Sequence, residues 1–369
     1  MWRTNLAVDR ELPGGIVATL EGIYTKDINA AIHRNYNFIT PTQRLTGADN
    51  RLIFPGPRNN FETGNPQLST KFFGPNGTNE AGLNAGVIVL ENTKLGYQYS
   101  LTGQLRKEFA NGFYATAAYT FAQAKDVTSN PGEIAADAFQ RLPIVTSNQP
   151  QLAYSDFGLQ HRIIAAAGRR FAYADQKLAT TVSFFFEAAQ GNRFSYTYAG
   201  DLNRDNISGN DLIFVPANRS QINLVPITNA AGTVLVTADE QYRQLEAYIS
   251  QDKYLSSRRG DYAERNGSLS PWYTQLDAKI LQDFTLTTNS GKKNTLQLSL
   301  DILNLGNLLS ASWGNRQLAG NNRLIEAGYS SATSSTPTYT FRGGNQTFFT
   351  DTSLNSRWRA QVGVRYIFD

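Results

Sequence analysis

Apolar side chains recur at every second position along nine stretches of this chain, and polar stretches rich in Asn, Gly and Pro separate them. The last is the clearest. Trp358, Ala360, Val362, Val364, Tyr366 and Phe368 fall on one face; Arg357, Arg359, Gln361, Gly363 and Arg365 fall on the other, where only Ile367 is apolar. A β-strand sends successive side chains to opposite faces, so the segment has one apolar side and one wet, cationic side. About ten residues is the span of a membrane strand, and aromatics sit near both ends of this one. Such a strand suits a barrel wall with lipid outside and a polar lumen inside.

The same alternation predicts strands at about 2–9, 16–26, 97–109, 113–122, 159–172, 178–189, 272–286, 294–304 and 356–368. Residues 336–349 read as an extra hairpin inside the last long connection. Connections after the first, third, fifth and seventh strands are short: Pro13-Gly14-Gly15, Asn111-Gly112, Ala174-Asp175-Gln176 and Ser290-Gly291-Lys292-Lys293. Those after the second, fourth, sixth and eighth are long. Outer-membrane barrels follow this rule, with short turns at the periplasm and long loops outside. A soluble all-β sandwich would also alternate. Its apolar faces would need a second sheet, however, and insertions of roughly 30 residues or more at every second connection are unusual for it.

Composition adjusts this picture only slightly. Hydrophobic residues make up 41% of 369 residues and no run approaches the roughly 18 that a membrane helix needs, but barrels hide from hydropathy because their two faces alternate. The 18 Tyr and 21 Phe suit interfacial girdles. Without cysteine there is neither a disulfide framework nor a thiolate zinc site. A net charge of +4, with no clustered basic stripe, gives no reason to expect nucleic acid as a partner. No export signal is visible, so the chain reads as the C-terminal part of something longer. Nine strands is an odd number, and the first strand has no upstream partner, which points the same way.

Several segments, in order, resemble one family: Leu90-Glu91-Asn92-Thr93-Lys94-Leu95-Gly96-Tyr97, Gly200-Asp201-Leu202-Asn203-Arg204-Asp205, Asn210-Asp211-Leu212-Ile213-Phe214-Val215-Pro216, Arg259-Gly260-Asp261-Tyr262-Ala263-Glu264-Arg265-Asn266, Pro271-Trp272 and Leu303-Asn304-Leu305-Gly306-Asn307-Leu308-Leu309. Together they look like the C-terminal barrel of TonB-dependent outer-membrane receptors, nearest the Oar-like branch of Bacteroidota with its carboxypeptidase-regulatory-like domain. The resemblance spans essentially the whole chain. It implies an all-β antiparallel transmembrane barrel of about 22 strands, of which this chain holds nine or ten. It also implies a plug, uptake of a scarce bulky solute powered by the TonB complex, and residence in a Gram-negative outer membrane. Outer-membrane lipid, the barrel-assembly machinery and a surface lipoprotein are the partners this implies. The assembly machinery would engage the final strand through Trp358, Val362, Val364, Tyr366 and Phe368. No plug or TonB-binding segment is recognisable, so transport by this chain alone is in question. A non-transporting adhesin or structural barrel and a passive porin are the rival readings.

Candidate chemistry is sparse. The loop 201–211 offers oxygen ligands at Asp201, Asn203, Asp205 and Asp211, part of the spacing that Ca²⁺ prefers, with the Ile207 carbonyl as a further ligand. It departs from the EF-hand at position 6, which is not Gly, and an Asx-rich surface turn gives the same pattern. No other cofactor is implied. Thr237-Ala238-Asp239-Glu240 resembles a capping box, and Tyr242, Leu245 and Ile249 follow at helical spacing, so a short loop helix is expected. Arg259, Asp261, Glu264 and Arg265 read as local ion pairs or as ligand contacts at the rim. Arg106, Glu108, Glu187, Asp277, Lys279, Asp301, Arg357, Arg359 and Arg365 are expected on the lumen or plug-facing side, where charge is cheap. Only His33 and His161 could serve as histidine bases, and no hydrolase motif accompanies them, so the chain is read as a non-enzyme.

Overall fold

The computed structural model describes every residue except 37, 39, 55–86, 130, 131, 133, 289, 290, 332, 333 and 369. Ser290 of the predicted turn and much of the first long loop lie outside the described residues. Nine long strands form one antiparallel sheet in strict chain order: Trp2–Leu12 (β1), Ile16–Lys26 (β2), Tyr97–Glu108 (β3), Phe113–Asp126 (β4), His161–Tyr173 (β5), Leu178–Ala189 (β6), Tyr273–Thr287 (β7), Lys293–Leu303 (β8) and Arg359–Phe368 (β9). A two-residue strand, Ala153–Tyr154, adds to the outer end of β4. Every predicted strand is present. The first runs three residues further than expected. The last begins at Arg359, which leaves Arg357 and Trp358 outside it, after a short helical turn at Leu354–Ser356.

Local chemistry explains the tight turns. Gly14 and Gly15 both take positive φ, 83° and 73°, a conformation that glycine adopts without a Cβ clash. The Asn111 side chain accepts a hydrogen bond from Phe113 N at 3.2 Å, closing the β3–β4 hairpin. All four tight turns lie at one end of the sheet and all four long loops at the other.

Register sorts the side chains cleanly. One row runs Val8, Leu20, Gly103, Tyr119, Ile163, Ala188; another runs Arg169, Val182, Ile280, Leu300, Val362. Among the described residues nothing covers this face: Leu6, Val362, Val364 and Phe368 are 74, 75, 69 and 74% exposed. The buried core lies elsewhere, in the long loops, where Tyr196, Leu202, Val215, Leu245, Leu255 and Ile325 are sealed from solvent.

The expected hairpin within 336–349 is not formed. Pro337–Phe341 pairs with Ile325–Tyr329, and Phe348–Thr350 pairs with Gln317–Ala319. Alternation marks a strand but says nothing of its partner, and here both partners lie upstream.

Candidate functional site

All four long loops interlock at one end of the sheet. The first loop meets the second where the Asn35 N–H donates to Asn148 Oδ1 at 2.8 Å and Asn148 Nδ2 returns a bond to Asn35 O at 2.7 Å. It meets the fourth where Thr46 N donates to Ser335 O at 2.9 Å. The second meets the third where Ile144 N donates to Asn210 O at 2.9 Å and Ser147 Oγ donates to Asp205. The third meets the fourth through Asp252: one carboxylate oxygen accepts from Tyr196 OH at 2.5 Å and Thr347 Oγ1 at 2.8 Å. The other caps the helix Lys253–Ser257, accepting from Tyr254 N and Leu255 N, each at 2.9 Å.

At the centre of this body sits Arg51, fully buried. Its guanidinium forks onto Asp49 at 2.7 and 3.0 Å, reaches Asp211 Oδ1 at 3.1 Å and donates to Leu212 O at 2.6 Å. The rings of Tyr198 and Tyr262 flank it at 5.2 and 5.4 Å. Burial works against its charge, but Asp49 and Asp211 outweigh burial and hold its pKa well above the usual arginine value. Little in the local sequence Asp49-Asn50-Arg51 signals this role, because all its partners but Asp49 come from a distant loop.

The predicted loop helix is Ala238–Gln251 (α1). Thr237 Oγ1 accepts from Glu240 N at 3.2 Å, the forward half of a capping box, while the Glu240 carboxylate instead takes Arg243 Nε at 2.8 Å. Leu245 and Ile249 are buried against the loop core, so the stripe serves packing. The charge cluster behaves largely as local ion pairs: Arg258 holds Asp261 at 2.8 Å and Arg259 holds Glu246. Arg265 differs. It is buried and reaches down to Asp126 Oδ1 at 2.8 Å, Asp126 O at 2.6 Å and Ser129 Oγ at 2.8 Å, fastening the third loop to the end of β4.

Asp201, Asn203, Asp205 and Asp211 are all buried. Their side-chain oxygens receive backbone amides: Asp201 from Asp205 N at 3.2 Å and Asn206 N at 2.9 Å, Asn203 from Asp205 N at 2.9 Å, Asp205 from Ile207 N at 2.8 Å, and Asp211 from Leu202 N at 2.7 Å. Asn206, at the position where an EF-hand carries Gly, takes φ 69° and makes the same left-handed turn. Burial pushes the Asp211 carboxyl up, to about 7, against the pull of Arg51. Among the described residues no three acidic or histidine side chains converge on a point that would hold a metal. A cation here would have to share these oxygens with the amides.

The predicted lumen set falls on the face opposite the apolar rows. Arg106, Glu108, Glu187, Asp277, Lys279, Asp301, Arg359 and Arg365 all share it by register; Arg357 precedes β9 and belongs to neither ladder. Directly opposed in register, Lys279 and Asp301 pair at 2.8 Å. Glu187 pairs with Arg162 at 2.8 Å, and Asp277 accepts from Asn304 N at 2.8 Å where the fourth loop begins. At the loop end of the apolar face His161 Nδ1 bonds Tyr119 OH at 2.8 Å beside Phe121 and Trp272, an aromatic setting.

Among the described residues two sizeable clefts lie between the loops. One, of about 520 Å³, is polar and presents Arg141, Asp156, Arg193, Asn266 and Arg323. Burial raises the Asp156 pKa and lowers that of Arg193, whose guanidinium stacks on Tyr154 at 3.6 Å. The other, of about 680 Å³, is lined by Gln251, Tyr254, Trp272, Thr347 and Phe348. Sizes of this order accommodate small solutes, and both clefts present polar groups beside aromatic ones. Comparison with protein-family models, curated proteins and solved structures finds no match to any of them.

Proposed function

We propose that this chain is the C-terminal barrel wall and mouth of a TonB-dependent outer-membrane receptor, taking up a bulky, scarce solute through its interlocked loops. One observation carries the reading. Across nine strands an uncovered apolar face lies between two bands of aromatics, Tyr24, Tyr99, Phe121, His161 and Trp272 towards the loops and Phe109, Phe113, Phe171, Phe284 and Tyr366 towards the turns. On β5 the bands are ten residues apart, from His161 to Phe171, about 33 Å along the strand. At a barrel tilt of about 40° that becomes about 25 Å, the height of an outer-membrane apolar band.

The polar face, with its Lys279–Asp301 and Arg162–Glu187 pairs, then lines the lumen, and a plug would rest against it. Among the described residues β1 and β9 each pair on one side only, which fits a wall that takes in further strands, as a large barrel does. Powering by TonB and insertion by the assembly machinery belong to the same proposal.

Membrane fractionation of a Gram-negative host expressing the exported chain tests it. The expected result is co-sedimentation with the outer membrane, heat-modifiable gel migration, and protease cleavage in intact cells confined to residues 27–96, 127–158, 190–270 and 305–355. A detergent-independent soluble monomer overturns it.

A further inference from the structure

Every charge on the apolar face is positive. Reading the register strand by strand, that face carries Arg10, Lys26, Lys107, Lys125 and Arg169 and no Asp or Glu, whereas the opposite face carries both signs. On the turn-end half of this face a groove of about 470 Å³ is cut into the sheet. Its floor is a two-by-two block of alanines, Ala115 opposed to Ala167 and Ala117 opposed to Ala165. Its walls are Leu105 on β3, Phe109 just beyond it, and Phe184 and Phe186 on β6. The groove thus exists because small side chains on two adjacent strands lie between large ones on their neighbours.

Two of the five cations stand at the turn-side end of this groove. Lys107 lies on its wall, with Nζ over the Phe109 ring at 4.4 Å. Arg169 follows Ala167 on the floor strand, its guanidinium 4.7 Å from the Phe171 ring. Its Nε is shielded from water and has no hydrogen-bond partner among the described residues. Neither cation has a carboxylate partner among the described ion pairs. A cation beside hydrocarbon, turned towards the interface and lacking an internal counter-ion, calls for an anion from outside.

We propose that this groove is a binding site for one anionic phospholipid of the periplasmic leaflet, an acyl chain lying over the alanine floor and the phosphate held by Lys107 and Arg169. The proposal rests on the membrane reading above and adds to it a defined lipid, head-group charge and location. Guanidinium and ammonium groups hold phosphate by charge-assisted hydrogen bonds, and the flanking rings keep both side chains extended towards it.

Native mass spectrometry of the full chain in detergent, with phosphatidylglycerol, phosphatidylcholine or inorganic phosphate added, tests this directly. One phosphatidylglycerol is expected to stay bound in preference to phosphatidylcholine, with no retention of free phosphate. The double variant K107Q/R169Q should lose about tenfold in phosphatidylglycerol occupancy, as expected for charge-assisted bonds removed from an apolar site. Ala165→Leu, which fills the floor, should expel the lipid while leaving both cations in place. Insertion of each variant into vesicles, read by heat-modifiable migration, is measured in parallel. Insertion with equal retention of both lipids, or with no effect of K107Q/R169Q, overturns the lipid site and leaves the membrane reading standing. Failure of the unsubstituted chain to insert overturns both.

Discussion

Arg51 and Asp211 are 160 residues apart in the chain and meet at 3.1 Å, with both side chains sealed from water. Asp49 completes the group from the other side of the same guanidinium. Removing the cation strands two carboxylates in the interior, and an uncompensated buried charge costs about 3–5 kcal/mol. Arg51→Ala is therefore expected to melt the loop body while the strands persist. Near-UV circular dichroism in detergent should lose its tyrosine signal, with the far-UV strand signal and heat-modifiable migration unchanged.

Neighbouring residues on β8 test the sorting of faces. Leu300 stands on the apolar face between Ile280 and Val362, and Ser299 on the polar face between Leu281 and Gly363. Leu300→Arg is expected to cost about 2–4 kcal/mol of folding into vesicles, the usual penalty near the bilayer midplane. Ser299→Arg should fold with close to unchanged efficiency. Equal effects at the two positions would count against a lipid-facing wall.

Arg265 makes the junction between the loop body and the sheet. Its contacts with Asp126 and Ser129 are charge-assisted and largely buried, a setting in which each bond contributes about 1.5–3 kcal/mol. Arg265→Ala should speed proteolysis within 127–158 and 190–270. Arg265→Lys, which cannot fork onto both groups, should restore only part of the protection.

The Asp211 carboxyl, lifted to about 7 chiefly by burial, titrates near 3.9 in an unfolded chain. Between those values the folded loops hold a proton that the unfolded chain has released. Their stability therefore grows as pH falls from about 7 towards 4 and declines as it rises through the same window. One group contributes at most about 1.4 kcal/mol per pH unit. Thermal melts of the loop signal should move upward between pH 7.5 and pH 5.5, and Asp211→Asn should flatten that dependence.

The nine-stranded sheet was legible strand by strand because a period of two needs no partner to be seen. The charged set from Arg106 to Arg365, Arg357 apart, shares the face opposite the apolar rows, since parity within a strand fixes it. Helix α1 was legible through Thr237 and the Leu245–Ile249 spacing. What alternation could not give was pairing between distant segments. Pro337–Phe341 looked like half of a local hairpin, yet its partner is Ile325–Tyr329. Arg51 was invisible for the same reason: its three-residue neighbourhood is that of any surface turn. The acidic spacing from Asp201 to Asp211 suits calcium and amide capping alike, because both call for oxygens at every second residue.

Contacts such as Thr46–Ser335, 289 residues apart, join the first loop to the last. On the reading proposed above, a mouth knitted in this way does not change specificity by exchanging one loop for another. A transplanted segment would arrive without the amides, carboxylates and rings that its three companions expect, so divergence in what the opening recognises must proceed by concerted drift of all four, or at exposed tips that touch none of the others.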